Sequence, residues 1–336
     1  MPLNSDTSPH CHPELSEGSE PPAIGASSLV VAGFDYVLPP ERIAQTPVEP
    51  RDSSRLLVLH RATGRLEHRT FRDIADYLAP GDLLVANDSR VLAGRLWARK
   101  PTGGRVELLL LRQADGPDGW WETLARPANR LREGQRLVLE TVTQIAEADS
   151  DRHAPPPPQG GRGSGGEGAM AEVGPHTPAG SVLVRFDAPA EEIAARYGQV
   201  PLPPYIHASL ADPERYQTVY SRVTGSAAAP TAGLHFTPQL LDALSSRGVR
   251  FAFVTLHVGL DTFRPIQAEH VAGHTMHSEF VSVPQETAAA IAQARRAGRR
   301  VVAIGTTTVR SLESWATQTG FGDDVAAAAG DSSALT

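Results

Sequence analysis

The sequence predicts an α/β fold written in two textures, and three observations carry that prediction. From about Leu56 to Phe186, short apolar stretches alternate with turn signals, the pattern of a small β-barrel or sandwich. From Thr237 onward, strand-like and helix-like segments alternate, which implies βαβ units and a parallel α/β layer. Both textures sit on one chain of 336 residues that is 40% hydrophobic, enough for two domains or one large domain with an insertion.

The elements follow in order. Residues 1–30, rich in Ser, Pro and Glu, are expected to form a disordered extension. Leu56–Leu59 and Arg65–Thr70 flank Ala62-Thr63-Gly64 and predict a hairpin. Thr70 with Asp73 three residues on is a capping-box signature for a short helix. Further strands are expected at Asp82–Ala86, Val106–Leu111, Trp120–Leu124, Arg136–Leu139 and Ser181–Phe186. Residues 154–168, with Pro155 to Pro158 and a Gly-rich run, predict a flexible surface insertion. Thr237-Pro238 opens a helix that Gly248 closes. Phe251–Leu256 reads as a strand, Pro284 to Gly298 as a helix and Val301–Gly305 as a buried strand, with another helix starting near Val309. Residues 317–336 read as a disordered tail.

The formal charge is −7, but residues 1–30 carry −4 and residues 323–336 carry −3, so the intervening body is neutral. A neutral body with local Arg clusters can still hold a polyanion, because local potential governs contact. The single cysteine, Cys11, allows no disulfide within the chain and fits a reducing cytoplasm. Residues 1–28 match neither a signal peptide nor a transit peptide. No apolar run approaches the roughly 20 residues that span a bilayer. The expectation is a soluble, cytoplasmic protein with no membrane contact.

Candidate chemistry gathers between Gln199 and Glu279, in Gln199-Val200-Pro201-Leu202-Pro203-Pro204-Tyr205, Tyr216-Gln217-Thr218-Val219-Tyr220, Pro230-Thr231-Ala232-Gly233-Leu234-His235 and Thr255-Leu256-His257. His235, His257, His274 and His277 suggest proton transfer near neutral pH; the alternative is hydrogen-bonded structural histidines. His270, His274, His277 and Glu279 have spacing compatible with a metal cluster, but their loop-like context argues against one, and no metal is expected. Gly305-Thr306-Thr307-Thr308-Val309-Arg310 is either an anion-binding helix start or an ordinary N-cap. Asn87-Asp88-Ser89 is either a tight corner or a site, and Arg51-Asp52 with Arg55 either a surface ion pair or a charged rim. Arg295, Arg296, Arg299 and Arg300 form a basic patch at a helix end, either favourable placement against the helix dipole or a phosphate contact.

Taken together, these motifs resemble the S-adenosylmethionine:tRNA ribosyltransferase-isomerases of queuosine biosynthesis, from about Phe34 to Glu313. Phe34-Asp35-Tyr36, Arg51-Asp52, Gly81-Asp82-Leu83-Leu84-Val85, Asn87-Asp88 and Gly305-Thr306-Thr307-Thr308-Val309-Arg310 carry the resemblance beside the stretch above. It implies a barrel-like α/β larger domain over residues 31–58 and 190–316, with an inserted small β-barrel domain over residues 59–189. It also implies transfer and isomerisation of the ribosyl group of S-adenosylmethionine onto 7-aminomethyl-7-deazaguanine at the tRNA wobble position, with release of adenine and methionine. The sulfonium acidifies the ribose C5′ hydrogens. A base removes one, adenine leaves, the aminomethyl nitrogen attacks the sugar, and an epoxide closes as methionine departs. S-adenosylmethionine is then a co-substrate, no prosthetic group is expected, and the partners are tRNAs with GUN anticodons bound by a monomer.

For site residues, the resemblance suggests His235, His257, His277 and Glu279 for proton transfer. Thr306, Thr307 and Arg310 would hold polar ends of the co-substrate, and Arg51, Arg55 and Asp88 would face the substrate nucleotide. The family pattern continues with a Thr-Asn-Phe-His-Leu-Pro segment that does not occur here, so a C-terminally truncated member is expected. An inactive or RNA-binding remnant and a metal-dependent hydrolase are the alternatives.

Overall fold

The run Leu83-Leu84-Val85-Ala86 is fully buried, which a strand achieves only when both faces are covered. In the computed structural model this run is the middle of the main sheet. The structure describes residues 29–114, 119–141, 168–178, 180–208, 210, 212–259, 266, 268–274, 279–319 and 333–335. Residues 1–28 of the expected N-terminal extension and most of residues 154–168 lie outside them.

Two units separate, and the smaller comprises residues 1–38 and 265–276. Its described part is a backbone pairing: Val31 N–H donates to Glu269 O at 2.9 Å and Val271 N–H to Leu29 O at 2.9 Å. The larger unit holds everything that follows.

Its first elements are β1 (Arg55–His60) and β2 (Arg65–Thr70), an antiparallel hairpin in the expected place. A 3₁₀ turn, Phe71–Asp76, follows with the predicted capping box: Asp73 accepts from Thr70 N–H at 2.9 Å. Such a cap contributes about 1 kcal/mol. Next come β3 (Leu83–Asn87) and β4 (Ser89–Val91). Then β5 (Arg95–Arg99), β6 (Arg105–Gln113), β7 (Trp120–Arg126), β8 (Arg136–Glu140), β9 (Met170–His176) and β10 (Val182–Phe186) close into a six-stranded antiparallel barrel, in the order β10-β7-β6-β5-β8-β9. Strict alternation fills it: Leu96, Ala98, Val106, Leu108, Leu137, Val173, Val182 and Val184 point inward and are fully buried. Helix α1 (Ala190–Tyr197) packs Ile193, Ala194 and Tyr197 into the same cluster.

The chain then returns through β11 (Val223–Ser226), which pairs parallel with β4. Helix α2 (Pro238–Ser246) starts where Thr237 accepts from Leu240 N–H at 3.1 Å. Strand β12 (Arg250–His257) leads to β13 (Glu279–Ser282), α3 (Gln285–Arg296), β14 (Val301–Ile304), α4 (Thr306–Thr319) and β15 (Ser333–Leu335). The five-stranded sheet runs β14-β3-β12-β13-β15, with β14, β3 and β12 parallel and β13 and β15 antiparallel. The α/β class and the inserted barrel are therefore as the sequence led us to expect.

Three expectations change. Strand β3, assigned to the inserted domain, belongs to the main sheet between β14 and β12. Its continuous apolar run marks a strand buried on both faces, whereas the barrel strands alternate. The C-terminal tail is not structureless throughout: α4 reaches Thr319, and residues 333–335 add a strand to β13. Edge pairing of this kind uses backbone groups, so composition does not announce it. Finally, Arg300 of the basic patch is not spare. It grips the buried carboxylate of Asp82, donates to Tyr77 O at 2.8 Å, and ties β14 to the start of β3.

Candidate active site

Parallel strands end in a row, and ligands in α/β sheets bind beyond those carboxyl ends. Here β3 ends at Asn87-Asp88-Ser89, β12 at His257 and β14 at Gly305-Thr306. Asn87 imitates a strand residue: its amide donates to Leu256 O and accepts from Leu256 N–H, both at 3.0 Å, while also accepting from Ser89 N–H at 3.0 Å. The Asn-Asp-Ser corner is thus rigid. It presents Asp88, buried, to Thr255 Oγ1 at 2.7 Å and to the guanidinium of Arg222 at 2.9 Å.

His257 sits at the centre of this edge. Its ring stacks on Phe280 with centroids 5.2 Å apart and planes 20° apart. Ser89 Oγ donates to Leu256 O at 2.5 Å, so at 3.4 Å it receives Nδ1–H of His257. Nε2 then keeps its lone pair. Burial pushes the imidazole below its ordinary value, and the nearby charge of Asp88 opposes that only in part. Nε2 lies against Gly225, where a Cβ would come within 2.8 Å; φ there is +147°. Only glycine fits both the backbone and the ring.

Glu279, at the start of β13, receives Gly259 N–H at 3.2 Å and Arg310 Nη1–H at 2.5 Å. Because His257 and Phe280 are register partners, Glu279 and Arg310 belong to the same end of the sheet. Thr306 and Thr307 open α4. Thr306 is exposed, and Thr307 Oγ1 is buried with no hydrogen-bond partner among the described residues. The turn Thr231–His235 comes close by, since a Cβ on Gly305 would lie 3.1 Å from Ala232 Cβ. In that turn His235 Nδ1–H donates to Ala232 O at 3.1 Å and the ring packs on Phe71, centroids 5.1 Å apart, leaving Nε2 as an acceptor.

Other predicted residues fall elsewhere. Arg51 donates to Gln217 O at 2.6 Å and Glu214 O at 2.8 Å, so its guanidinium is spent on clamping the Pro213–Gln217 segment. Arg55 is exposed on β1. His277 lies outside the described residues. No group of three or more His, Cys, Asp or Glu suited to a metal occurs among the described residues.

Two site residues received no role from the sequence. Ser89 was read as turn chemistry. Tyr220 was noticed within Tyr216-Gln217-Thr218-Val219-Tyr220, yet nothing in that string reveals where its hydroxyl goes. It is buried without a partner among the described residues, and burial raises it far above an ordinary phenol. It abuts Gly233, where a Cβ would stand 2.0 Å from the hydroxyl.

A family model described as queuosine biosynthesis protein matches residues 31–334. The chain belongs to this family. Among curated relatives, the S-adenosylmethionine:tRNA ribosyltransferase-isomerase of Symbiobacterium thermophilum is 49% identical over 294 residues, spanning 86% of this chain and 78% of the relative. The proteins of that name from Moorella thermoacetica and Thermotoga maritima are 49% and 48% identical, each over 85% of this chain and over 77% and 76% of their own lengths. A crystal structure of S-adenosylmethionine tRNA ribosyltransferase from Thermotoga maritima aligns at 36% identity over 84% of this chain and 72% of that one, with a TM-score of 0.37. The queuosine family thus accounts for the order of motifs along the chain. No helix among the described residues is long and apolar enough to cross a membrane.

Proposed function

We propose that the carboxyl edge of the main sheet is the ribosyl-transfer site of a queuosine-family tRNA ribosyltransferase-isomerase. The chain acts on S-adenosylmethionine and tRNA carrying 7-aminomethyl-7-deazaguanine at the wobble position. It moves and isomerises the ribosyl group to give epoxyqueuosine, with adenine and methionine released. The observation that carries the reading is His257: a half-buried imidazole, held below its ordinary value by burial, whose Nδ1 meets Ser89, leaving Nε2 as the acceptor at the ligand end of the sheet.

Abstraction of a C5′ hydrogen beside a sulfonium needs a base that is unprotonated at neutral pH, and burial shifts His257 toward that form. His235, with a free Nε2, and Glu279 are the further proton-handling groups, together with His277. Thr306, Thr307 and Arg310 meet the polar ends of S-adenosylmethionine; the orphaned Thr307 hydroxyl and the start of α4 suit a carboxylate or ribose hydroxyl. Arg310 also balances the Glu279 carboxylate. Arg55 faces the substrate nucleotide. Arg51 and Asp88 act by positioning, through the 213–217 segment and the β3 corner. We place the protein in the cytoplasm, as a monomer without a prosthetic group, on tRNAs with GUN anticodons.

The test is adenine release from S-adenosylmethionine by the full chain, with modified and unmodified tRNA. Adenine appearing only with the modified tRNA is the expected result. Tight binding of that tRNA without adenine would sink the catalytic reading and leave a binding-only protein.

A further inference from the structure

We propose that the rim of the inserted barrel farther from the sheet is a docking surface for the ribose-phosphate backbone of RNA, remote from the reacting base. This rests on the functional reading above for its RNA partner and deepens it. Strand β5 enters the barrel at Arg95, which pairs with Gln199 of the segment leading back to the main sheet. Arg99 is four residues further along, about 13 Å at a strand's rise per residue. Three connections form the rim there: the β5–β6 turn, residues 100–104, the β7–β8 connection, residues 127–135, and the β9–β10 turn, residues 177–181, which carries no charged residue.

Residues 99–105 and 126–133 contain six cations and one acid, Glu133, on a chain that nets −7. Arg99 and Arg105 converge on the carboxylate of Glu140 and are partly neutralised. Arg126, Arg130 and Arg132 are exposed, and none forms an ion pair with a described residue.

The segment that displays them is not a loose loop. Leu131 is 4% exposed, an anchor in the barrel core between Arg130 and Arg132. His176 Nε2–H, at the end of β9, donates to Leu131 O at 3.3 Å, and Lys100 Nζ of the β5–β6 turn donates to Arg130 O at 2.6 Å, tying the 127–135 connection to both its neighbours. Gln135 closes the far side, donating its N–H to Arg132 O at 3.0 Å and receiving Arg132 N–H at 3.2 Å. A fold that fixes unpaired guanidinium groups on a rigid surface keeps a like-charge cost that a polyanion relieves. Salt-sensitive, sequence-independent phosphate contact is the chemistry that fits.

The experiment compares the full-length parent with Arg130→Glu/Arg132→Glu and with a control of equal charge change elsewhere, Arg61→Glu/Arg296→Glu, whose residues are exposed. Equilibrium binding of the modified tRNA is measured across a salt series, with thermal melting to verify folding and S-adenosylmethionine affinity as a second check. For the rim variant we expect at least about tenfold weaker tRNA binding and a salt dependence shallower by about one unit per lost contact. Its melting temperature and S-adenosylmethionine affinity should stay at parental values, and the control should bind tRNA like the parent. Rim and parent affinities within about twofold with the same salt slope, or an equal loss in the control, would overturn the proposal. If the rim variant fails to fold, Arg126→Gln with Arg132→Gln carries the same comparison. Binding is scored independently of adenine release, so failure of the catalytic reading and failure of the docking surface are separate results.

Discussion

In the barrel, the fully buried residues include Leu96, Val106, Leu108, Leu137 and Val184; at the carboxyl edge of the sheet, the buried ones include Asn87, Asp88, Ser89, Ser226 and Thr255. The barrel removes apolar surface from water, and each side chain needs only to fit. The edge removes polar groups from water, so each must find a partner: Asn87 with Leu256, Asp88 with Thr255 and Arg222, Ser226 with Ala228 O and Val258 N–H. The buried hydroxyls of Thr218, Tyr220 and Thr307 have no hydrogen-bond partner among the described residues, and on the proposed function a ligand completes that set at Thr307. On the proposed function, stability is concentrated in the barrel and chemistry at the edge, and substitutions should separate them.

The largest separation is expected from His257→Ala. Losing the base should lower the rate of tRNA-dependent adenine release by about 10²–10⁴-fold, with little change in S-adenosylmethionine affinity. An activity within twofold of the parent removes His257 from the mechanism. In the barrel, Leu108→Ala should cost about 2–5 kcal/mol of stability in denaturant titration, leaving activity per folded molecule intact. A catalytic loss without destabilisation would mean the two regions are not separable in this way.

Gly233→Ala falls between the two. A Cβ placed 2.0 Å from the Tyr220 hydroxyl forces a shift costing about 1–3 kcal/mol, and Tyr220→Phe in the same chain should recover part of it. No recovery would place the strain elsewhere. Thr307→Val deletes a buried hydroxyl that has no partner among the described residues, so the melting temperature should hold or rise while the KM for S-adenosylmethionine increases by about tenfold. An unchanged KM would leave Thr307 a structural residue.

The smallest effect is in pH. Burial depresses His257 in the folded state, so as pH falls below the ordinary imidazole value of about 6.5 the unfolded chain takes up the proton first. His257 therefore costs no stability above that pH and progressively more below it. His257→Gln should flatten that part of the stability profile, measured as the parent-minus-variant difference. An identical pH slope in both proteins would contradict a ring whose protonation burial disfavours.

Much of this was legible in the residues. The hairpin, the Thr70–Asp73 capping box and the Thr237 N-cap came from local chemistry that holds wherever it occurs. Strands β5 and β9 escaped notice because Arg95–Arg99 carries polar residues on one face and Met170–His176 contains Gly174 and Pro175. Their place in the barrel comes from partners across the ladder. His257, Glu279 and Arg310 were named from motif order, but the same order also named Arg51, which the fold spends on two carbonyls.

By itself, the sequence determined the α/β class, the inserted barrel texture and the family, because periodicity and ordered motifs are properties of the chain read in one dimension. Tertiary structure alone decided that β3 belongs between β12 and β14, that Ser89 fixes the His257 ring, and that Tyr220 meets Gly233. Each of those joins residues that are not neighbours in the chain, and distance along the backbone carries no information about which buried polar group will find which partner.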